Sequence, residues 1–429
     1  MPDAVHGLPV MGFALTVILA WFGFAALALA ILHGRALAAM WREPVFVRPV
    51  LIVESDDWGP GPRGDAAVLR EIAETLSAVR DRDGRPAVMT LGVVGGIPDV
   101  DAMRAAGFAK HVRCSLLAPD FAPVLAAMGD GCRAGVFAVQ RHGLEHYWPA
   151  ALLARLHTEN GSNSEALRRW LEDGGLRSEA LPPPLQSRWV DCASLPSVPL
   201  DPVAVDHAVR EESDLLQQLF GCAPEVAVPN TFVWNDSTER AWAAHGVRTV
   251  VTPGWRYEGR DAAGRLLPPA RRIRNGESGQ GGIIYVVRDA YFEPLRGHRA
   301  EDVAAALARK CAEGRPLLLE THRENFIGPQ PARAAAVAEL RRALGMALSM
   351  RPDLCFTTTA ELATILRDPA SPLRAQRWKT RLAAWFVRLR NEPDLTRLLK
   401  YSGLAALLGA AAYFLGDVTY RRSARAGRC

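Results

Sequence analysis

Short apolar runs that stop abruptly on polar residues recur along this chain, and between them apolar positions return at the three-to-four spacing of helices. Residues 50–53 form such a run and end at Ser55-Asp56-Asp57-Trp58-Gly59; residues 136–140 run into Arg141-His142-Gly143-Leu144-Glu145-His146; residues 316–319 close on Glu320-Thr321-His322. Runs this short read as buried strands. Residues 87–94, 248–252, 283–287 and 353–357 read as further strands, and 65–79, 236–245, 301–312 and 332–350 as helices. Asp236-Ser237-Thr238-Glu239 has capping-box spacing at the start of one of them. Alternating strands and helices predict a parallel α/β sheet or barrel. Residues 158–202 break the rhythm: they are rich in Ser, Gly and Pro, contain Pro182-Pro183-Pro184, and read as an insertion or long loop. The chain carries no repeat of solenoid or propeller length.

A strand that ends on two adjacent carboxylates puts charge at a sheet edge, where α/β enzymes keep their chemistry. Two neighbouring carboxylates repel unless a cation or proton divides their roles, so one metal ligand and one general base is the natural division. His142 and His146, with one of those carboxylates, would make a His-His-Asp set for zinc or a similar divalent ion. Alternation along the third strand points Glu320 and His322 to one side, so Glu320 could orient or charge the imidazole. Each observation has a plainer reading, as solvated turn carboxylates, polar histidines beside a helix start, or a core histidine on a backbone carbonyl; it is their recurrence at three strand ends that favours a site.

In these ordered motifs the chain resembles the polysaccharide deacetylases, carbohydrate esterases with the NodB-type fold, over roughly residues 45–365. The resemblance implies a distorted (β/α) barrel of seven strands. It also implies roles: Asp56 as general base, Asp57, His142 and His146 as ligands of a divalent metal, with Zn2+ foremost, and His322 as general acid. Residues 228–234 stand where that family has a proline-aromatic segment lining the substrate groove. The substrate-facing set is then Trp58, Asn230, Trp234, Arg288, Glu320 and Arg323. One departure stands out. The family's third motif carries an arginine that pairs with the base aspartate, and Ala227-Val228-Pro229-Asn230 has none, which leaves Arg288 and Arg323 as replacements. The function implied is removal of N-acetyl groups from a polysaccharide or glycolipid. The alternatives are a metal-dependent O-deacetylase or glycan hydrolase using the same pocket, and a catalytically silent carbohydrate-binding scaffold, which the missing arginine favours.

The ends of the chain predict membrane lipid as a partner. Residues 10–32 are apolar and uncharged, long enough to cross about 30 Å of hydrocarbon, and no Lys or Arg precedes them, unlike a cleavable signal. Residues 401–416 form a shorter apolar segment. Between 373 and 400, Trp378, Leu382, Trp385, Phe386 and Leu389 make a stripe opposed by Arg377, Lys379, Arg381, Arg388 and Arg390, which fits a basic helix on anionic headgroups or a helix packed on the domain. The expected organisation is a transmembrane helix in 1–35, a catalytic domain over 45–368, the basic helix over 373–400 and an apolar membrane segment over 401–420. Arg35, Arg42 and Arg48 place the domain in the cytoplasm by the positive-inside rule, whereas Arg421, Arg422, Arg425 and Arg428 after the last segment pull the other way if that segment spans. Seven cysteines without CxxC spacing argue against a thiolate zinc site and lean towards a reducing compartment. The net charge of +5 lies mostly in the basic ends, and no aromatic-basic module suggests a nucleic-acid partner.

Overall fold

The structure, a computed structural model, describes residues 7–157, 162–269 and 271–415. The basic tail with Arg421, Arg422, Arg425 and Arg428, and the first residues of the expected loop, 158–161, lie outside the described residues. The chain divides into two compact units, one of residues 48–307 and 316–368, the other of residues 1–47, 308–315 and 369–429.

The first unit is a curled, open, all-parallel α/β sheet of barrel-like form. Its strands are β1 (Val50–Trp58), β2 (Met89–Val93), β3 (Phe137–Arg141), β4 (Val226–Ala227), β5 (Thr249–Thr252), β6 (Ile284–Val287), β7 (Ala290–Tyr291), β8 (Leu317–His322) and β9 (Cys355–Phe356). They follow the order β6-β5-β4-β3-β2-β1-β8-β7, with β9 pairing the start of β1. Eight strands in line, rather than the expected seven, arise because the short pair β6 and β7 divides the residues around Arg288. Since every pairing is parallel, the carboxyl ends of β1, β3 and β8 share one edge, and the register sets Asp56 beside His322.

The sheet is buried on both faces, so its strands are apolar without alternation: Val50 to Val53 are at most 1% exposed. Helices such as Asp65–Ser77, Asp236–Ala244 and Gln330–Met350 connect the strands, and Asn235, one residue before the expected capping box, caps the second of these. Residues 162–202 hold more regular structure than the composition of the segment implies. They contain the helix Ser162–Glu172, and Leu167, Trp170, Leu171, Leu181, Leu185 and Val190 pack with Tyr147 and Leu152 in one apolar cluster. Sparse but large apolar side chains, not the Ser and Gly between them, decide that packing.

In the second unit the N-terminal helix Gly7–Arg42 is 36 residues long, and three helices, Trp378–Asn391, Pro393–Tyr401 and Leu404–Leu415, follow at the C-terminal side. The basic face expected for the first of the three is incomplete. Arg388 is 1% exposed and donates to the carbonyls of Met40, Glu43, Pro44, Glu313 and Gly314. A guanidinium offers five N–H donors, and here unpaired carbonyls at a helix end and a turn absorb them.

Ile52 is fully buried at the centre of β1 between β8 and β2. Ile52→Ala is expected to lower unfolding free energy by about 2–5 kcal/mol, read from denaturant unfolding of the detergent-solubilised chain.

Candidate metal centre and active site

β1 does not end as a regular strand. Its register against β2 shifts between Ser55 and Trp58, and Asp57 sits in the left-handed region at φ 68°. A bulge of this kind breaks the alternation that would have sent Asp56 and Asp57 to opposite faces, and both carboxylates line one cleft. Gly92 on β2 makes the approach possible: a Cβ there would lie 2.3 Å from Oδ1 of Asp56. Gly143, at φ 91° after β3, turns the chain so that His142 and His146 face Asp57 together.

Oδ1 of Asp57 is 3.2 Å from Nε2 of His142 and 3.3 Å from Nε2 of His146, and the three side chains offer ligand atoms all within 4.8 Å of one another. Nδ1 of His142 is 3.0 Å from the carbonyl oxygen of Val228, which can only accept, so that nitrogen carries the proton. In its neutral form the ring therefore aims the lone pair of Nε2 at a carboxylate oxygen that has no hydrogen-bond donor of its own. Lone pairs converging at this distance repel unless a proton or a cation lies between them. The oxygen and two nitrogens are a donor set that fits a divalent ion of the zinc type, with positions left for other ligands. Burial pulls the His146 imidazole down to about 4, so it stays neutral and able to coordinate; for His142 burial is outweighed by Asp56 and Asp57, and the pKa rises.

Arg288, after β6, organises the other half of the cleft. Its guanidinium is 2.7 Å from Asp56 Oδ2, 2.8 Å from Glu54 and 3.2 Å from Glu320, with all four side chains buried. Three carboxylates surround one cation, so they cannot all ionise equally. Burial raises the pKa of Glu54 and of Glu320, whereas at Asp56 burial is overcome by Arg288 and then His142, and the carboxyl stays below its usual range. Oδ1 of Asp56 has no hydrogen-bond partner, and the residue lines the cleft.

His322, at the end of β8, is held through Nδ1 by Glu293 at 2.6 Å, and Asn325 donates to the second oxygen of Glu293. Burial lowers the imidazole pKa, but the Glu293 bond and the charges of Asp57 and Asp56 raise it on balance to about 10, so the ring carries its proton at neutral pH. Nε2 of His322 lies 3.8 Å from Glu320. Glu293 is 1% exposed and was not picked out from the sequence; its only signal there is a carboxylate just after the short β7 run.

The cleft of about 120 Å³ is lined by Asp56, Asp57, His142, His146, Arg288, Glu320 and His322 together with Val228, Pro229, Thr231 and Phe232. Four members of the substrate-facing set lie elsewhere. Trp58 is fully buried, with its indole N–H on Ser55 Oγ, and Trp234 is 1% exposed, with its N–H on Glu239. Both pack in the interior, because the residues around them supply apolar walls and one acceptor each. Asn230 is also buried and braces the metal loop by donating to the carbonyl of His142. Arg323 pairs with Asp65 at 2.6 Å and donates to the Leu176 carbonyl, so of the two candidate arginines only Arg288 meets Asp56.

Salt bridges hold the metal loop from behind. Glu145, fully buried between His142 and His146 in the sequence, pairs with Arg113 and with Arg188 of the 158–202 segment, and Glu212 accepts the backbone N–H of Gly143. Removing one partner would strand a buried charge.

No protein-family model and no curated protein matches the chain. Among solved structures it is similar to a family 4 carbohydrate esterase from Streptomyces lividans in complex with acetate, at 11% identity over 77% of this chain and 97% of that chain, with a TM-score of 0.33. It is also similar to a putative polysaccharide deacetylase from Mycobacterium smegmatis, at 12% identity over 78% and 97%, TM-score 0.36. A 4-alpha-glucanotransferase from Thermococcus litoralis matches at 11% identity over 87% of this chain and 49% of that chain, TM-score 0.39. TM-scores this low carry no weight for function, which rests on the residues of the cleft.

The full chain is expected to bind about one divalent ion, measured by equilibrium dialysis with Zn2+. His142→Ala and His146→Ala should each weaken that binding by orders of magnitude; unchanged stoichiometry and affinity in both would remove the site.

Proposed function

We propose that the chain is a metal-dependent hydrolase that removes N-acetyl groups from a glycan or lipid-linked sugar, with residues 45–368 as its catalytic region and the membrane as its location. The observation that carries this reading is the largely enclosed Asp57-His142-His146 set beside a second carboxylate, Asp56, that lines the same cleft, is paired to Arg288 and yet keeps one oxygen without a hydrogen-bond partner. A divalent ion held by the three ligands, with Zn2+ foremost, would polarise the acyl carbonyl and lower the pKa of a bound water.

The remaining work belongs to side chains. Asp56 accepts the proton of the attacking water through Oδ1, and Arg288 keeps the carboxylate ionised until then. His322 delivers a proton from Nε2 to the departing nitrogen, because its Nδ1 proton is engaged by Glu293. One acid and one base held in opposite protonation states on the same cleft is the arrangement that amide cleavage requires. A silent scaffold has no need of it, and the arginine whose absence from the third motif favoured that reading has a counterpart in Arg288. By Arg35 and Arg42 in the last part of the N-terminal helix and Arg48 after it, the catalytic region faces the cytoplasm.

The reading is tested by acetate release from N-acetylated oligosaccharides by the metal-loaded full chain. Asp56→Asn keeps the shape but cannot accept a proton, and it should lower turnover by roughly 10²–10⁴ with metal still bound; full acetate release by that variant would sink the mechanism.

The pH profile separates the two halves of the cleft. Arg288→Gln should raise the Asp56 pKa, so the acid limb of kcat/KM moves to higher pH. Glu293→Gln removes the bond that raises the His322 pKa, so the alkaline limb moves to lower pH from about 10. A limb that stays in place in either variant would dissociate that residue from its role.

A further inference from the structure

The helical unit contains a bend that the apolar composition of residues 401–416 conceals. The helices Pro393–Tyr401 and Leu404–Leu415 meet at 105° across Ser402 and Gly403, with Gly403 in the left-handed region at φ 79°. The last helix spans 12 residues, about 18 Å, well short of the roughly 30 Å of a hydrocarbon layer.

The bend is nonetheless fitted to a low-dielectric setting. The Ser402 carbonyl accepts the indole N–H of Trp21 at 3.1 Å, the Ser402 amide donates to Leu398, its hydroxyl reaches Leu399, and Gly403 donates to Lys400. Phe22 of the N-terminal helix lies 3.4 Å from where a Gly403 side chain would begin. Irregular backbone is tolerated at membrane depth only when its polar groups are satisfied and covered by protein, and Ser402, buried with its amide, carbonyl and hydroxyl all engaged, meets both conditions. From the bend the last helix runs back beside Trp378–Asn391. Gly409 lies against the Arg390 guanidinium, and Leu415 and Val387 pack against the cluster of Val45, Ala375, Ala383 and Ala384. Arg388 fixes the start of this path to the end of the N-terminal helix through the Met40, Glu43 and Pro44 carbonyls.

We infer that the C-terminal helices form a re-entrant hairpin, which enters the same bilayer face that the N-terminal helix leaves and returns to it. The chain then crosses lipid once, and Leu415 returns to the side where the chain continues from Val45. Lipid is the occupant of the outer faces: Phe13, Phe24, Ile31 and Leu32 of the N-terminal helix are 67–73% exposed, and Phe414 is 74% exposed. Lys400 and Arg397 stand on the outer face of the hairpin, where long stems carry charge towards headgroups. Arg35 and Arg42 then lie towards the side to which the hairpin returns, and no Lys or Arg precedes them in the N-terminal helix.

The test uses the full chain in sealed membrane vesicles, with one protease-cleavable epitope after Cys429 and a second in the exposed turn at residues 82–84. Both epitopes are expected to be cleaved together in vesicles of one orientation and protected together in the other. Cleavage of one with protection of the other would overturn the hairpin, because the last segment would then span. Release of the protein from the vesicles by alkaline carbonate would overturn it as well, since no part of the chain would then be held in lipid.

Discussion

A single buried guanidinium determines what the rest of the cleft can be. Arg288 is 1% exposed, and without it Glu54, Asp56 and Glu320 would stand together as three carboxylates in the interior. Like charges at such separations cannot all remain ionised out of water, so protons would redistribute among them and the free oxygen of Asp56 would lose its character as an acceptor. The same cation ties β6 to the adjacent strands β1 and β8, neither of which is next to β6 in the sheet order. Electrostatics and architecture therefore depend on one side chain.

Much of this was legible in the chain. Apolar runs ending on Asp56-Asp57, His142 and His322 mark strand ends because a fully buried parallel strand needs no polar alternation, and the site lies where such strands stop. What could not be read is instructive in its causes. Trp58 and Trp234 look like aromatic platforms in sequence, but an indole with a buried acceptor at hand, Ser55 or Glu239, gains more from the interior. Arg288 and Arg323 are indistinguishable by local pattern; only the curl of the sheet brings one to Asp56 and the other to Asp65. Glu293 has no motif at all and acquires its place from the pairing of β7 with β8. Arg388 reads as a member of a basic stripe, yet five carbonyls at the ends of neighbouring segments draw it inside.

The segment 158–202 shows a related limit. Its Ser, Gly and Pro content describes how the chain turns, whereas Trp170, Leu185 and Arg188 decide where it packs. Through Arg188 it clamps Glu145, which stands between the two histidines in the sequence, so a stretch that carries none of the site's ligands is coupled to their geometry.

Asp56 and Arg288 are 232 positions apart in the chain. At the roughly 5–20 residues per second of protein synthesis, the first exists for on the order of 10–50 s before the second is made. During that interval β1 ends in Glu54, Asp56 and Asp57 with none of the cations that later surround them, and it cannot settle into an apolar interior without protonating them or leaving them in water. β1 is thus the first strand of the sheet to be synthesised, while the cation its carboxylates pair with follows more than half a chain later.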